Sequence, residues 1–165
     1  MTLSKDYSFE SERLKFRGIE ERDAEIIVAW RSDPANYRFF LDPRPITLEG
    51  HLAWFSRYLD DSTRFDFLIE DKAGNAVGTC GLSSIDSGSC EISYMVGATE
   101  ARGKGYATEA VQALTEVAFR ELDVKHVDAR ILAYNEASMR VAASVGFSEH
   151  ERLFRKYRDS AAPDQ

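Results

Sequence analysis

Cysteine, histidine and long apolar runs are all scarce in this chain. Of 165 residues only two are cysteines, Cys80 and Cys90, and they form no C-x-x-C pair. The three histidines, His51, His126 and His150, show no metal-ligand spacing. A disulfide scaffold is thereby excluded and no metal is expected. Two buried free thiols in a reducing compartment are the reading of the cysteines. No run approaches the roughly 20 apolar residues that a membrane-crossing helix needs. The segment Met1 to Ser8 lacks the apolar stretch of a secretory signal, so the expected location is the cytoplasm. Positive charge is also in short supply: 21 Lys and Arg stand against 28 Asp and Glu, for a net charge of −7. That balance argues against nucleic acid or an anionic membrane as partner, and mildly favours a small cationic ligand.

What is present is material for a core: 44% hydrophobic and 12% aromatic residues. The length suits one domain, residues 1–165, with 159–165 a frayed tail. Leu14 and Phe16 alternate with charged neighbours and predict a strand over 11–18. Asp23 or the acidic residues before it start a helix with Ile26, Ile27 and Trp30 on one face, which Pro34 ends. Pro43 and Pro45 make 42–46 irregular. Thr47 caps a helix to about Leu59, with Leu48, Leu52, Phe55 and Leu59 on its apolar face. Phe65, Phe67 and Ile69 mark a strand, and 71–75 a turn. Strands over 76–85 and 90–97 flank a hairpin whose tip is Ser87-Gly88, which sets Cys80 near Met95. A helix from about Thr108 carries Val111, Leu114, Ala118 and Leu122 on one face. Val127, Ala129 and Ile131 form a further strand. A short helix from Glu136 stops at Gly146, and 149–158 supply a terminal hairpin. The fold class is α+β: a mostly antiparallel mixed sheet flanked by helices.

The most informative stretch joins the last of the meandering strands to the long helix: Tyr94-Met95-Val96-Gly97, then Arg102-Gly103-Lys104-Gly105-Tyr106-Ala107-Thr108. A helix start holds amides without intrahelical partners and a partial positive charge. Gly103 and Gly105 clear side chains from those amides, while Arg102 and Lys104 add charge. Capture of a phosphate or pyrophosphate is the chemistry implied. An ordinary strand-to-helix loop is the bland alternative. The P-loop string is absent, and Thr108 occupies the third glycine position of the dinucleotide fingerprint. The remaining pattern is R-x-x-G-x-A at Arg102, Gly105 and Ala107.

That pattern resembles the acetyl-CoA loop of the GNAT superfamily of N-acetyltransferases. The resemblance extends to 91–96 as the family's fourth strand, to 108–121 as the following helix, and to Asn135-x-x-Ser138 with Gly146-Phe147 beyond it. In order and spacing it covers roughly Phe65 to Phe147. It implies acetyl-CoA as co-substrate, its pantetheine paired with Met95 and Val96 and its pyrophosphate on the amides from Gly103 to Thr108. Asn135 resembles the family's asparagine near the pantetheine arm. Many members carry a tyrosine acid seven residues after that asparagine; here Ala142 stands there. The N-x-x-S form is similar to the branch containing ribosomal-protein N-terminal acetyltransferases, in which Ser138 takes the place of the acid.

Acetyl transfer needs a base for the amine, a donor to the thioester oxygen and an acid for the leaving thiolate. Glu91 is the first base candidate, with a surface ion pair as its structural alternative. Tyr94, on the opposite face under strict alternation, is either a donor or a core aromatic; a bulge in the strand would change that facing. Asn135 and Ser138 are equally helix caps. Trp30, Arg31, Tyr37, His51 and Trp54 concentrate aromatic and polar groups in the first third. The arrangement is similar to amino-sugar-nucleotide N-acetyltransferases of the pseudaminic-acid type. Packing of two helices on the sheet is the plain alternative for Trp30 and Trp54. The expected acceptor is a primary amine, first an amino-sugar nucleotide, then a protein N-terminus, small amine or antibiotic. A non-catalytic acyl-CoA sensor is the competing class, and the assembly is a monomer or homodimer.

Overall fold

The computed structural model describes residues 3–158; the tail expected over 159–165 lies outside the described residues. Six strands form one sheet in sequence order. They are β1 (Ser8–Glu10), β2 (Leu14–Gly18), β3 (Phe65–Asp71), β4 (Ala76–Ser83), β5 (Ser89–Val96) and β6 (His126–Asp128). The first five are successive antiparallel neighbours, and β6 lies parallel to β5. The helices are α1 (Ala24–Ser32), α2 (Pro34–Tyr37), α3 (Leu48–Asp60), α4 (Tyr106–Glu121) and α5 (Glu136–Val145). No helix is long and apolar enough to cross a membrane.

Register and the two-residue period divide the sheet into unlike faces. Phe67, Cys80 and Tyr94 lie in one row across β3, β4 and β5. This apolar face is the side of α4 and α5: Val111, Leu114 and Val117 are buried in the core, and the Tyr94 hydroxyl meets Ser138 of α5. The opposite row is Asp66, Gly81 and Ser93. This face belongs to α1 and α3. Arg17 of β2 holds Asp23 through two bonds of 2.8 Å, and the Tyr58 hydroxyl of α3 accepts from the Asp66 amide at 2.9 Å.

Several local expectations are corrected. The first strand is two, joined by a turn, with Phe9 of β1 stacked on Phe16 at 4.3 Å. Pro34 ends α1 but also opens α2, where its missing N–H costs nothing; Asp33 caps that turn by accepting from Ala35 N at 2.9 Å. Thr47 does cap α3, yet the buried face is His51, Phe55 and Tyr58, with Leu48 and Leu59 exposed. Tyr58 fixes that rotation by its bond to Asp66. Ile26 is likewise exposed while Ile27 and Trp30 are buried. The hairpin after β4 is one residue off: Asp86 accepts from both Gly88 N and Ser89 N, so Cys80 faces Tyr94, not Met95. Both thiols are free and buried; burial pushes Cys90 up to about 11 and Cys80 further. Strand β6 stops at Asp128, short of Ala129 and Ile131. Residues 149–158 form no hairpin and lie exposed, Leu153 at 80% and Phe154 at 86%.

At the end of β5, Gly97 lets Trp30 of α1 lie directly on the backbone: a β-carbon there would sit 2.3 Å from Trp30 Cδ2. Gly97→Ala is therefore expected to destabilise the fold by about 1–3 kcal/mol through overpacking. Urea denaturation should show that loss, and Trp30→Leu in the same chain should recover part of it. A Gly97→Ala protein as stable as the parent would mean that Trp30 has room to move.

Candidate active site

Strand β5 is the spine of the site. It pairs with β6 only at Ser89, Cys90 and Glu91; beyond that, the edge from Ile92 to Val96 has no strand partner among the described residues. Gly97 N donates to Val77 O at 3.0 Å, which makes 77 and 97 a hydrogen-bonded pair in a register running from Gly78–Val96 to Ser83–Glu91. By alternation Met95 turns its backbone toward β4, and its carbonyl oxygen lies 2.0 Å from where a Gly78 β-carbon would be. The free groups of the edge thus come from Tyr94 and Val96. This corrects the pairing expected of Met95. No register shift interrupts the β4–β5 ladder, so the strand has no bulge there, and Glu91 and Tyr94 stay on opposite faces.

The edge runs on to the glycine loop. Gly103 (φ 74°) and Gly105 (φ 78°) both adopt the left-handed conformation, and nothing lies within 4 Å of a Gly103 β-carbon. Arg102, Gly103, Lys104 and Gly105 are exposed. Gly105 is the N-cap of α4 and offers no side-chain cap, and Glu109 N donates to Gly105 O at 3.2 Å to open the helix. The amides of Tyr106, Ala107 and Thr108 are the orphan donors of a 16-residue helix. These open, uncapped amides fit a diphosphate.

The positive charge around this loop is arranged differently from the sequence expectation. Arg102 donates to Asn36 Oδ1 of α2, and Asn36, itself buried, donates to Trp30 O at 3.0 Å. Arg13, in the β1–β2 turn, was not singled out by sequence. Its guanidinium donates to Lys104 O and to Glu109 Oε2, both at 2.7 Å, and lies 4.8 Å over the Tyr106 ring. Its Nη2 is 3.4 Å from a Gly105 β-carbon. Glu109, held also by Ser11 and the Arg13 amide, sits below its usual range despite partial burial, because those donors outweigh desolvation. Only a fold that returns β1–β2 to α4 brings Arg13 here, and no local motif announces it.

On the apolar face the two acid candidates meet. Tyr94 Oη lies 2.6 Å from Ser138 Oγ and donates to the Ser138 carbonyl at 3.2 Å. Burial raises the Tyr94 pKa, with the Ser138 bond opposing, so the phenol stays protonated through neutral pH. Asn135 is the N-cap of α5, accepting from Ser138 N at 3.2 Å. On the other face Glu91, at the last residue where β6 is paired, lies 3.3 Å from Arg130. Tyr134, exposed and just before Asn135, donates to Arg38 O at 2.7 Å. The segment after α1 is thus tied to the glycine loop by Asn36 and to the start of α5 by Arg38.

The acceptor-side candidates divide. Trp30 is 9% exposed and packs on Gly97, so it walls the end of β5. Tyr37 is half-buried in α2. Trp54 is half-buried, 5.4 Å from His51 and 5.2 Å from the Arg64 guanidinium. Arg31 lies 5.3 Å over Phe40. His51 is 6% exposed. Burial first, then the Arg31 charge, hold its pKa below the ordinary imidazole value against the pull of Asp66.

Residues 13–148 match the family model described as an acetyltransferase (GNAT) domain. An uncharacterised N-acetyltransferase, p20, of Bacillus licheniformis is 30% identical over 155 residues, spanning 89% of this chain and 85% of that one. Among solved structures, ribosomal-protein-S5-alanine acetyltransferase from Vibrio fischeri is 25% identical with a TM-score of 0.71, over 87% of this chain and 84% of that one. Spermidine N-acetyltransferase from Vibrio cholerae, solved with CoA and spermine, shares the fold at TM-score 0.83 and 19% identity, over 90% and 88% of the two chains. With the family model spanning most of the sequence, this chain belongs to the GNAT family of acetyltransferases.

Proposed function

We propose that the chain, acting as a single domain, transfers acetyl directly from acetyl-CoA to a primary amine held on the α1–α3 face, first an amino-sugar nucleotide. The observation that carries this is the continuous path from the free edge of β5 to the uncapped start of α4, with Glu91 and the Tyr94–Ser138 pair on either side of it. When bound, acetyl-CoA supplies an activated acyl group. The backbone of Tyr94 and Val96 pairs with the pantetheine amides, and the amides of Gly103 to Thr108 receive the diphosphate beside Arg13. Asn135 fixes the start of α5 and thereby holds Ser138 in reach of Tyr94.

Glu91 accepts the amine proton through water and passes it outward past Arg130. Ser138 gives its proton to the departing thiolate and is refilled from Tyr94, the two forming a short relay across 2.6 Å, and solvent water then returns a proton to Tyr94. Neither thiol is suited to an acyl-enzyme, since burial raises both pKa values. The solved neighbours named for spermidine and for ribosomal protein S5 keep a small polyamine and a protein N-terminus as the alternative acceptors. The tyrosine–serine pair favours an enzyme over a non-catalytic sensor, because a sensor has no need of a paired proton donor at this edge.

Gly105→Glu should weaken CoA binding at least tenfold by calorimetry, since it places a carboxylate and a strained β-carbon in the nest. If the unaltered protein takes up neither acetyl-CoA nor CoA, the reading fails. Two further substitutions separate base from acid. Glu91→Gln should lower kcat/KM most below neutral pH, where few acceptor amines are already neutral, and recover partly as pH rises. Ser138→Ala should lower kcat by about 10²-fold with little pH dependence in that range, with CoA affinity kept. An unchanged pH–rate profile in Glu91→Gln would remove Glu91 from the base role and leave a water chain to bulk solvent.

A further inference from the structure

We propose that Arg31 and His51 form a receptor for an oxyanion carried by the acceptor, so that the amine substrate bears a phosphoryl or carboxylate group. This deepens, and rests on, the acetyltransferase reading above. Two buried polar atoms lack any hydrogen-bond partner among the described residues, Arg31 Nε and His51 Nε2. They come from adjacent elements on the same face of the sheet. Arg31 stands in the last turn of α1, one residue after the tryptophan that walls the end of β5; His51 stands in the first turn of α3, beside Trp54. Leaving a guanidinium N–H and an imidazole nitrogen buried and unmet costs each group its hydration with no bond in return. A fold keeps such atoms where a ligand satisfies them.

The charges around the pair select the sign of that ligand. His51 is faced by Arg31 and Asp66, and Arg31 by Arg64, Asp66 and Asp42. Asp66 is already taken: Arg64 donates to its two oxygens at 2.6 and 3.2 Å. Asp42 is engaged by Arg44 at 2.9 Å. Arg31 is therefore a desolvated cation next to an imidazole whose pKa is held below its ordinary value by burial first and by the Arg31 charge second. An oxyanion meets the guanidinium and accepts from a protonated His51, whereas a polyamine meets two arginines. Phe40 under the guanidinium holds its plane in place.

Both atoms belong to helices on the α1–α3 face of the sheet, the face on which Glu91 falls, so an acceptor bound there has its oxyanion and its amine on one side of the strand.

The test titrates the protein, with saturating CoA filling the phosphate nest, against UDP in one arm and L-glutamate in the other. Calorimetry and the His51 imidazole NMR signal are the readouts. One arm is expected to bind and to move the His51 signal toward the protonated form; UDP alone assigns a phosphoryl acceptor, glutamate alone a carboxylate. Arg31→Met should weaken that binding at least tenfold, and Arg31→Lys should restore part of it. In turnover, the ratio of kcat/KM for an oxyanion-bearing amine to that for spermidine should fall at least tenfold in Arg31→Met. If Arg31→Met does not fold, His51→Phe, which keeps a ring in place, should show the same loss of oxyanion binding. Absence of binding in both arms, equal binding by the variants, or a preference for spermidine would overturn the inference. If the protein ignores CoA, the acetyltransferase reading is what fails. The oxyanion receptor is then decided by the same titration in Gly105→Glu, whose nest is blocked.

Discussion

The parting of β5 and β6 is the constraint on which the rest depends. A parallel pair three residues long leaves the following five residues of a central strand with backbone groups that no neighbouring strand satisfies. Continued pairing would close the sheet and abolish the site; complete separation would leave α5 without a fixed position. Holding the two strands together at Cys90 and Val127, both buried, fixes the apex, and the divergence then opens a slot lined by peptide groups. A ligand with amides of its own suits such a slot better than a side-chain pocket would. The glycine loop lies at the far end of the same strand, so one element aligns both ends of a long cofactor.

The two-residue period of β5 then divides the candidate groups. Glu91 falls on one face and Tyr94 on the other, so on the proposed reading proton removal and proton return would be separated by the thickness of the sheet. That reading would put the acyl group in the edge itself, between the faces. The helices reinforce the division: α4 and α5 bury the apolar side, whereas α1 and α3 lie over a side that carries Arg17, Asp66 and Glu70. The Arg17 guanidinium, joined to Asp23 and to Glu70 at 2.8 Å, is raised well above its ordinary pKa by those carboxylates against desolvation, so this side is held by fixed charge as well as by packing.

Much of this was legible in the sequence because its signals are local. Alternation in Phe65, Phe67 and Ile69, the cap at Thr47, the glycine stop at Gly146 and the turn glycines at 103 and 105 each encode backbone geometry within a few residues. The misreadings arose where tertiary partners decide. Leu48 and Leu59 fit a helical stripe as well as His51 and Tyr58 do, and only the Tyr58–Asp66 bond tells the two faces apart. Asp86 lengthened a hairpin by accepting two amides, which shifted a register by one. Arg13 and Asn36 reach the glycine loop from a turn and a helix far away in sequence, and Tyr134 bonds across to Arg38, through contacts that no spacing rule contains. The sequence offers the candidate residues; their partners come only from the fold.

The segment between α1 and α3 lies outside the sheet altogether. It contributes no ladder bond, holds a single turn of helix at α2, and is pinned at its two sides through Asn36 and Arg38. On the proposed reading, replacing residues 39–45, beyond these pins, would change the roof over the acceptor without touching the strand pairing or the glycine loop. Acceptor preference would then change by small steps, with the acyl-donor half kept intact. Two proteins with near-identical sheets can in this way come to acetylate chemically unrelated amines.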